Sequence, residues 1–154
     1  MKLSYCAIPT NHARSIQRGG IDAYGNPPDR VISDGQGNPC RHCLEEIPEG
    51  AGILVFAYKP FSGTHAYSET GPVFLCEKEC ERHKENEFPK IAYGDNAYLI
   101  RGYDAEERII YGSGDIVSAM GIEEFALNVF ENMNAKEVHV RSKKYNCFQF
   151  KITK

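Results

Sequence analysis

The amino-acid sequence predicts an α+β fold: a single domain over residues 1–154, with a mainly antiparallel sheet packed on one principal helix and a long loop near the N-terminus. Three observations lead there. Between Ile122 and Met133, apolar residues fall at Ile122, Phe125, Ala126, Val129, Phe130 and Met133, the three-and-four spacing of an amphipathic helix. Several short runs of β-branched and aromatic residues are joined by polar connections of hairpin length. And 154 residues, 42% of them hydrophobic, fill one proper core but do not divide comfortably into two.

In chain order, Leu3 to Ile8 reads as a first strand. Thr10 or Asn11 can cap a brief helix running to about Arg18, which Gly19-Gly20 stops. Gly19 to Pro39 is rich in Gly and Pro and reads as a mobile loop. Ile53 to Tyr58 is a buried strand ended by Pro60, and Pro72 to Cys76 is its antiparallel return. Glu77 to Glu87 reads as an exposed, charged helix. Ala97–Tyr103 and Arg108–Tyr111 flank the connection Asp104 to Glu107 and predict a hairpin. After the main helix, Val138–Val140 and Phe148–Ile152 alternate in character with period two, and they close the chain as two strands around a turn at Lys143 to Asn146.

Composition excludes some classes. Ser4 and Pro9 interrupt the N-terminal apolar stretch, so it cannot form a signal-peptide core. The longest apolar run, Ile53 to Tyr58, is far short of the roughly 20 residues of a membrane-spanning helix. The net charge is −3 and the only basic cluster is Arg141, Lys143 and Lys144, which disfavours nucleic acid as a partner. Six cysteines without an export signal suggest a cytoplasmic chain holding its thiols reduced.

The cysteines form two compact groups: Cys40-Arg41-His42-Cys43, and Cys76 with Cys80 and His83. If the strand ending at Cys76 returns beside the one starting at Ile53, the two groups converge. Zinc prefers four thiolate or imidazole ligands in a tetrahedron, and ligands two or three residues apart let one turn supply two corners. Cys40, Cys43, Cys76 and Cys80 fit a structural zinc site, and His83 could replace either of the last two if residues 77–83 are helical. The plain alternative, in which the cysteines are small buried hydrophobes, is on spacing alone marginally the stronger. A redox reading of the Cys-x-x-Cys pair draws on Arg41 and His42 between the thiols, but the motif does not lead into a full helix.

Two further readings are weaker. Cys147 and His139 could pair as nucleophile and base, with a buried thiol as the simpler account. Arg101, Tyr103, Arg141 and Tyr145 could bind a small anion, although strand residues of this kind usually make cross-strand contacts. His12 and His65 lack partners at diagnostic spacing, and no phosphate-binding glycine loop, nucleophile elbow or HExxH helix occurs.

Pro39-Cys40-Arg41-His42-Cys43-Leu44, Tyr58-Lys59-Pro60-Phe61, Glu69-Thr70-Gly71-Pro72-Val73-Phe74, Arg101-Gly102-Tyr103-Asp104, Val140-Arg141-Ser142 and Tyr145-Asn146-Cys147-Phe148 resemble the bacterial domain of unknown function 1203 family. The resemblance spans most of the chain and implies no assigned activity. The family pattern often has His at the position of Cys76, followed by the Cys that matches Cys80. Such an exchange suits a metal ligand, and a non-ligand position tolerates it too.

Overall fold

The computed structural model describes all 154 residues and shows an α+β fold dominated by antiparallel strands. The strands are β1 (Ser4–Cys6), β2 (Asp29–Ile32), β3 (Gly52–Tyr58), β4 (Gly71–Cys76), β5 (Ala97–Tyr103), β6 (Asp115–Ser118), β7 (Glu137–Ser142) and β8 (Phe148–Thr153). The helices are α1 (Thr10–Gln17) and α2 (Ile122–Asn132). No helix is long and apolar enough to cross a membrane.

The strands form two sheets rather than one. The larger has the order β1-β8-β7-β5-β6, and the smaller β2-β3-β4. Alternation along each strand of the larger sheet sends Tyr98, Ile100, Val138, Val140, Phe150 and Ile152 to one face, where they bury against Ile122, Ala126, Val129 and Phe130 of α2. A second core joins Ile53, Leu54, Phe56, Val73 and Leu75 of the smaller sheet to Ala13 and Ile16 of α1. Gly102 has no room for a side chain, since a Cβ there would meet Val129 Cγ1 at 2.8 Å. The α2 helix therefore lies directly on the backbone of β5.

Most of the expected elements are found, with four corrections. Residues 77–87 form no helix. That charged run lacks an apolar stripe, and its carbonyls are taken by side chains of α1: Gln17 Nε2 donates to the carbonyls of Cys76 and Lys78, at 2.8 and 3.2 Å, and Arg14 to that of Cys80 at 2.7 Å. Residues 108–111 are not the partner strand of β5. They make one isolated bridge, Tyr103 with Ile109, and the pairing passes to β6, with Ala97 opposite Ser118 and Ile100 opposite Asp115. The Gly/Pro-rich loop contains β2, an edge strand paired with β3 and exposed at every residue. Finally, Pro9, which has no polar side chain to cap with, occupies the N-cap of α1, and the Thr10 hydroxyl is bonded instead to His42 Nε2 at 2.9 Å.

Candidate metal centre

The β3–β4 pairing puts Cys76 opposite Ile53, at the start of the first strand, as the antiparallel reading requires. Cys40 forms a parallel bridge to Phe74 of β4, and the Arg41 amide donates to the Phe74 carbonyl at 2.9 Å, which lays residues 40–44 against the strand end. The turn is closed by the Leu44 amide donating to the Cys40 carbonyl at 3.0 Å. Leu44 closes it with a left-handed backbone, φ 52°, while its side chain is fully buried. Residues 77–87, held by α1, carry Cys80 back over this turn.

The four sulfurs of Cys40, Cys43, Cys76 and Cys80 all lie within 4.8 Å of one another. Cys40 and Cys80 are 3.9 Å apart, and Cys43 and Cys76 are 4.0 Å apart. A tetrahedron with metal–sulfur bonds of about 2.3 Å has an edge of about 3.8 Å, so the four could hold a metal ion with little movement. None is in a disulfide. Cys43, Cys76 and Cys80 line a cleft of about 530 Å³, which gives an ion a path from solvent.

Donors surround the sulfurs. The amides of His42 and Cys76 both point at Cys40 Sγ at 3.4 Å. His42, fully buried, places Nδ1 3.2 Å from Cys80 Sγ while its Nε2 faces the Thr10 hydroxyl. With Cys80 as a thiolate, the ring proton would sit on Nδ1 and be donated to sulfur, and Nε2 would accept from Thr10. Hydrogen bonds from Cys43 and Cys76 hold the Cys40 thiol down at about 7. Bonds from Cys40, Cys43 and Cys76, joined by the one from His42, hold Cys80 well below the ordinary thiol range. Cys43 and Cys76 are pushed up, chiefly by their bonds with Cys40. Two of the four thiols, Cys40 and Cys80, are thus shifted toward the thiolate form in which cysteine binds a metal.

His83 is not part of this group. Without a helix at 77–83 it does not share a face with Cys80. Its Nε2 lies 2.8 Å from the Glu87 carbonyl, and its amide donates to the His42 carbonyl. His42, which spacing alone did not single out, is the histidine that touches a sulfur. It lies inside the Cys-x-x-Cys motif, and that position was the available signal.

The residues considered for an anion are partly gathered. Arg101 Nη2 meets Glu69 Oε1 at 2.6 Å and Arg141 Nη1 meets Glu69 Oε2 at 3.3 Å, while Arg101 Nε donates to the Tyr103 hydroxyl at 2.7 Å. Tyr145, 74% exposed beneath Lys144, bonds to none of them but lines the same cleft as Glu69 and Arg141. Glu69, on the β3–β4 connection, gave no sequence signal. The Cys147–His139 pair does not form: Cys147 Sγ turns to the Tyr145 carbonyl, and His139 Nε2 is 3.0 Å from Glu137.

The family described as "Protein of unknown function (DUF1203)" matches residues 37–154, and the chain belongs to it. No curated protein and no solved structure matches.

Proposed function

We propose that this chain is a zinc-clamped binding domain in which the metal is structural. The observation that carries the reading is the set of four sulfurs within 4.8 Å, delivered by three separate segments: the 40–44 turn, the end of β4 and the 77–87 strap. An all-sulfur tetrahedron suits zinc, and four protein ligands leave no open position for substrate or water, the arrangement of structural sites. The amide and imidazole donors around Cys40 and Cys80 supply the supporting shell such sites use. Redox cycling through Cys40 and Cys43 fits less well, because Cys40 has no exposed surface from which to attack a disulfide. Six unbridged cysteines support a reducing compartment such as the cytoplasm.

The test is elemental analysis of purified, tag-free protein with a thiol count under native conditions. About one zinc per chain, with Cys6 and Cys147 the thiols that react readily, is expected. Iron in place of zinc would overturn the choice of metal. No metal, with the four clustered thiols reacting as ordinary free cysteines, would overturn the clamp.

A further inference from the structure

Only three buried side-chain nitrogen or oxygen atoms in the protein lack a hydrogen-bond partner within it: His139 Nδ1, Arg141 Nε and Arg141 Nη2. All three belong to β7, at positions two apart, so they project from one face of the larger sheet. That is the face away from α2. Across it, β5 sets Arg101 opposite His139 and Leu99 opposite Arg141, and Tyr103 stacks on His139 with ring centres 4.3 Å apart. His139 and Arg141 are thus buried on a face that also carries the rings of Phe61, Tyr103 and Phe148, all three of which pack on His139, and each orphaned group there calls for a physical account.

Arg141 is the anomaly. It is 4% exposed, yet its Nε and Nη2, the two nitrogens of one guanidinium edge, have no partner. Only the remaining nitrogen is engaged, with the Asn146 carbonyl at 3.1 Å and Glu69 at 3.3 Å. The free edge is the planar two-pronged donor that matches the two oxygens of a carboxylate or phosphate. Charge on this face is also unbalanced. Arg101 and Arg141 share the single carboxylate of Glu69, while Glu137 is already taken by Lys151 at 2.7 Å and His139 at 3.0 Å. One positive charge is left over in a place where burial penalises it. The β7–β8 ladder shifts register at this point, with Gln149 of β8 left as the extra residue between the pairs Val140–Phe150 and Arg141–Phe148. Arg141 lines a cleft of about 320 Å³, with Glu69, Gly71 and Tyr145 among its other walls.

We propose that Arg141 anchors a binding site for a small oxyanion, a carboxylate or a phosphate group, held two-pronged on its free edge. Glu69 sits beside it as an internal competitor that partly neutralises the arginine pair until the ligand arrives. The site shares no residue with the four sulfurs, so it stands or falls separately from the zinc clamp.

The test uses the full chain as purified, titrated with inorganic phosphate, acetate and glycolate, with sodium chloride as the ionic-strength control. The readout is the Arg141 Nε–H resonance. Saturable movement of that resonance with phosphate alone identifies a phosphate site; movement with acetate or glycolate identifies a carboxylate site; either supports the proposal. Glu69→Gln removes the competitor and is expected to tighten binding at least tenfold. Arg141→Lys keeps the charge but loses the two-pronged edge, and is expected to weaken binding at least tenfold, about 1.4 kcal/mol. If Arg141→Lys fails to fold, the wild-type and Glu69→Gln titrations still decide. No saturation up to about 10 mM in either protein, a response equal to that of chloride, or unchanged affinity in a folded Arg141→Lys would overturn it.

Discussion

If the four sulfurs hold the proposed zinc, stripping it with a strong chelator should destabilise the domain measurably, and the geometry sets the scale. Cys40 and Cys80, the two acidic thiols, have sulfurs 3.9 Å apart. Two full negative charges at that separation would repel by about 4 kcal/mol at an effective dielectric constant of about 20, an upper bound because proton uptake on loss of the ion relieves it. Linkage gives a similar figure: an ion present at about 100 to 1,000 times its dissociation constant contributes about 2.7 to 4.1 kcal/mol to folding. For a domain of this size each kcal/mol moves the melting temperature by about 2–4 °C, so a fall of about 5–16 °C is expected. The assay is thermal unfolding by circular dichroism, with metal content measured before and after chelation. Hydrogen exchange should show protection lost first at residues 38–47 and 76–87, which owe their position to the sulfurs, and last in β5, β7 and β8. A melting temperature that stays within about 1 °C in protein shown to have lost its metal would refute the clamp.

Three further outcomes are expected. His42→Gln should lower metal affinity about 10–100-fold while the chain stays folded, since it removes the imidazole that faces both Cys80 and Thr10; competition with a chromogenic chelator measures it. At Leu44, alanine should cost about 2–5 kcal/mol through the lost core side chain, whereas glycine should be the milder change by about 1 kcal/mol because φ is 52°; denaturant melts in which glycine is the worse would contradict that conformation. Burial holds the His139 imidazole down at about 4, below its unfolded value of about 6.5. The folded state therefore keeps the ring neutral where the unfolded chain protonates it. The stability it confers is whole above about pH 6.5 and is lost as pH falls towards 4, by about 3 kcal/mol in all. His139→Gln should remove that part of the acid sensitivity, so equal denaturant-midpoint losses between pH 7.5 and 4.5 in the two proteins would contradict it.

Residues whose partners are near in sequence, or whose pattern is periodic, were legible. The α2 helix follows from its apolar spacing and ends where Asn134 turns left-handed at φ 53°. The β3–β4 return follows from two apolar runs and a polar connection, and it alone predicts that the two cysteine groups meet. The features that were not legible depend on distant partners. Residues 77–87 are charged enough for a surface helix, but the side chains of Arg14 and Gln17, more than 60 positions earlier, take the carbonyls of Cys80 and Lys78 and hold the segment as an open strap. The partner of β5 was missed because Arg108–Tyr111 looks more like a strand than Asp115–Ser118 does. Ser113 is buried, and its hydroxyl accepts from the Gly102 amide at 2.8 Å, filling the place a paired strand would take. The division into two sheets has no local signature, because β3 and β4 are apolar whichever sheet they join. At the sites, the four cysteines were legible as a set. His42, Glu69 and His139 gained meaning only from the side chains packed against them.

The family match begins at residue 37, yet the first 17 residues are structurally entangled with the remainder of the domain. Strand β1 is the outer rung on β8, Thr10 faces the histidine that bonds Cys80, and Arg14 and Gln17 hold the carbonyls of the strap. A fragment trimmed to the matched region would lose one edge of its larger sheet and the outer brace of its sulfur cluster together. The unit of folding is thus wider than the unit of recognisable sequence, and the N-terminal arm is where relatives with a different leading segment would have to build that brace anew.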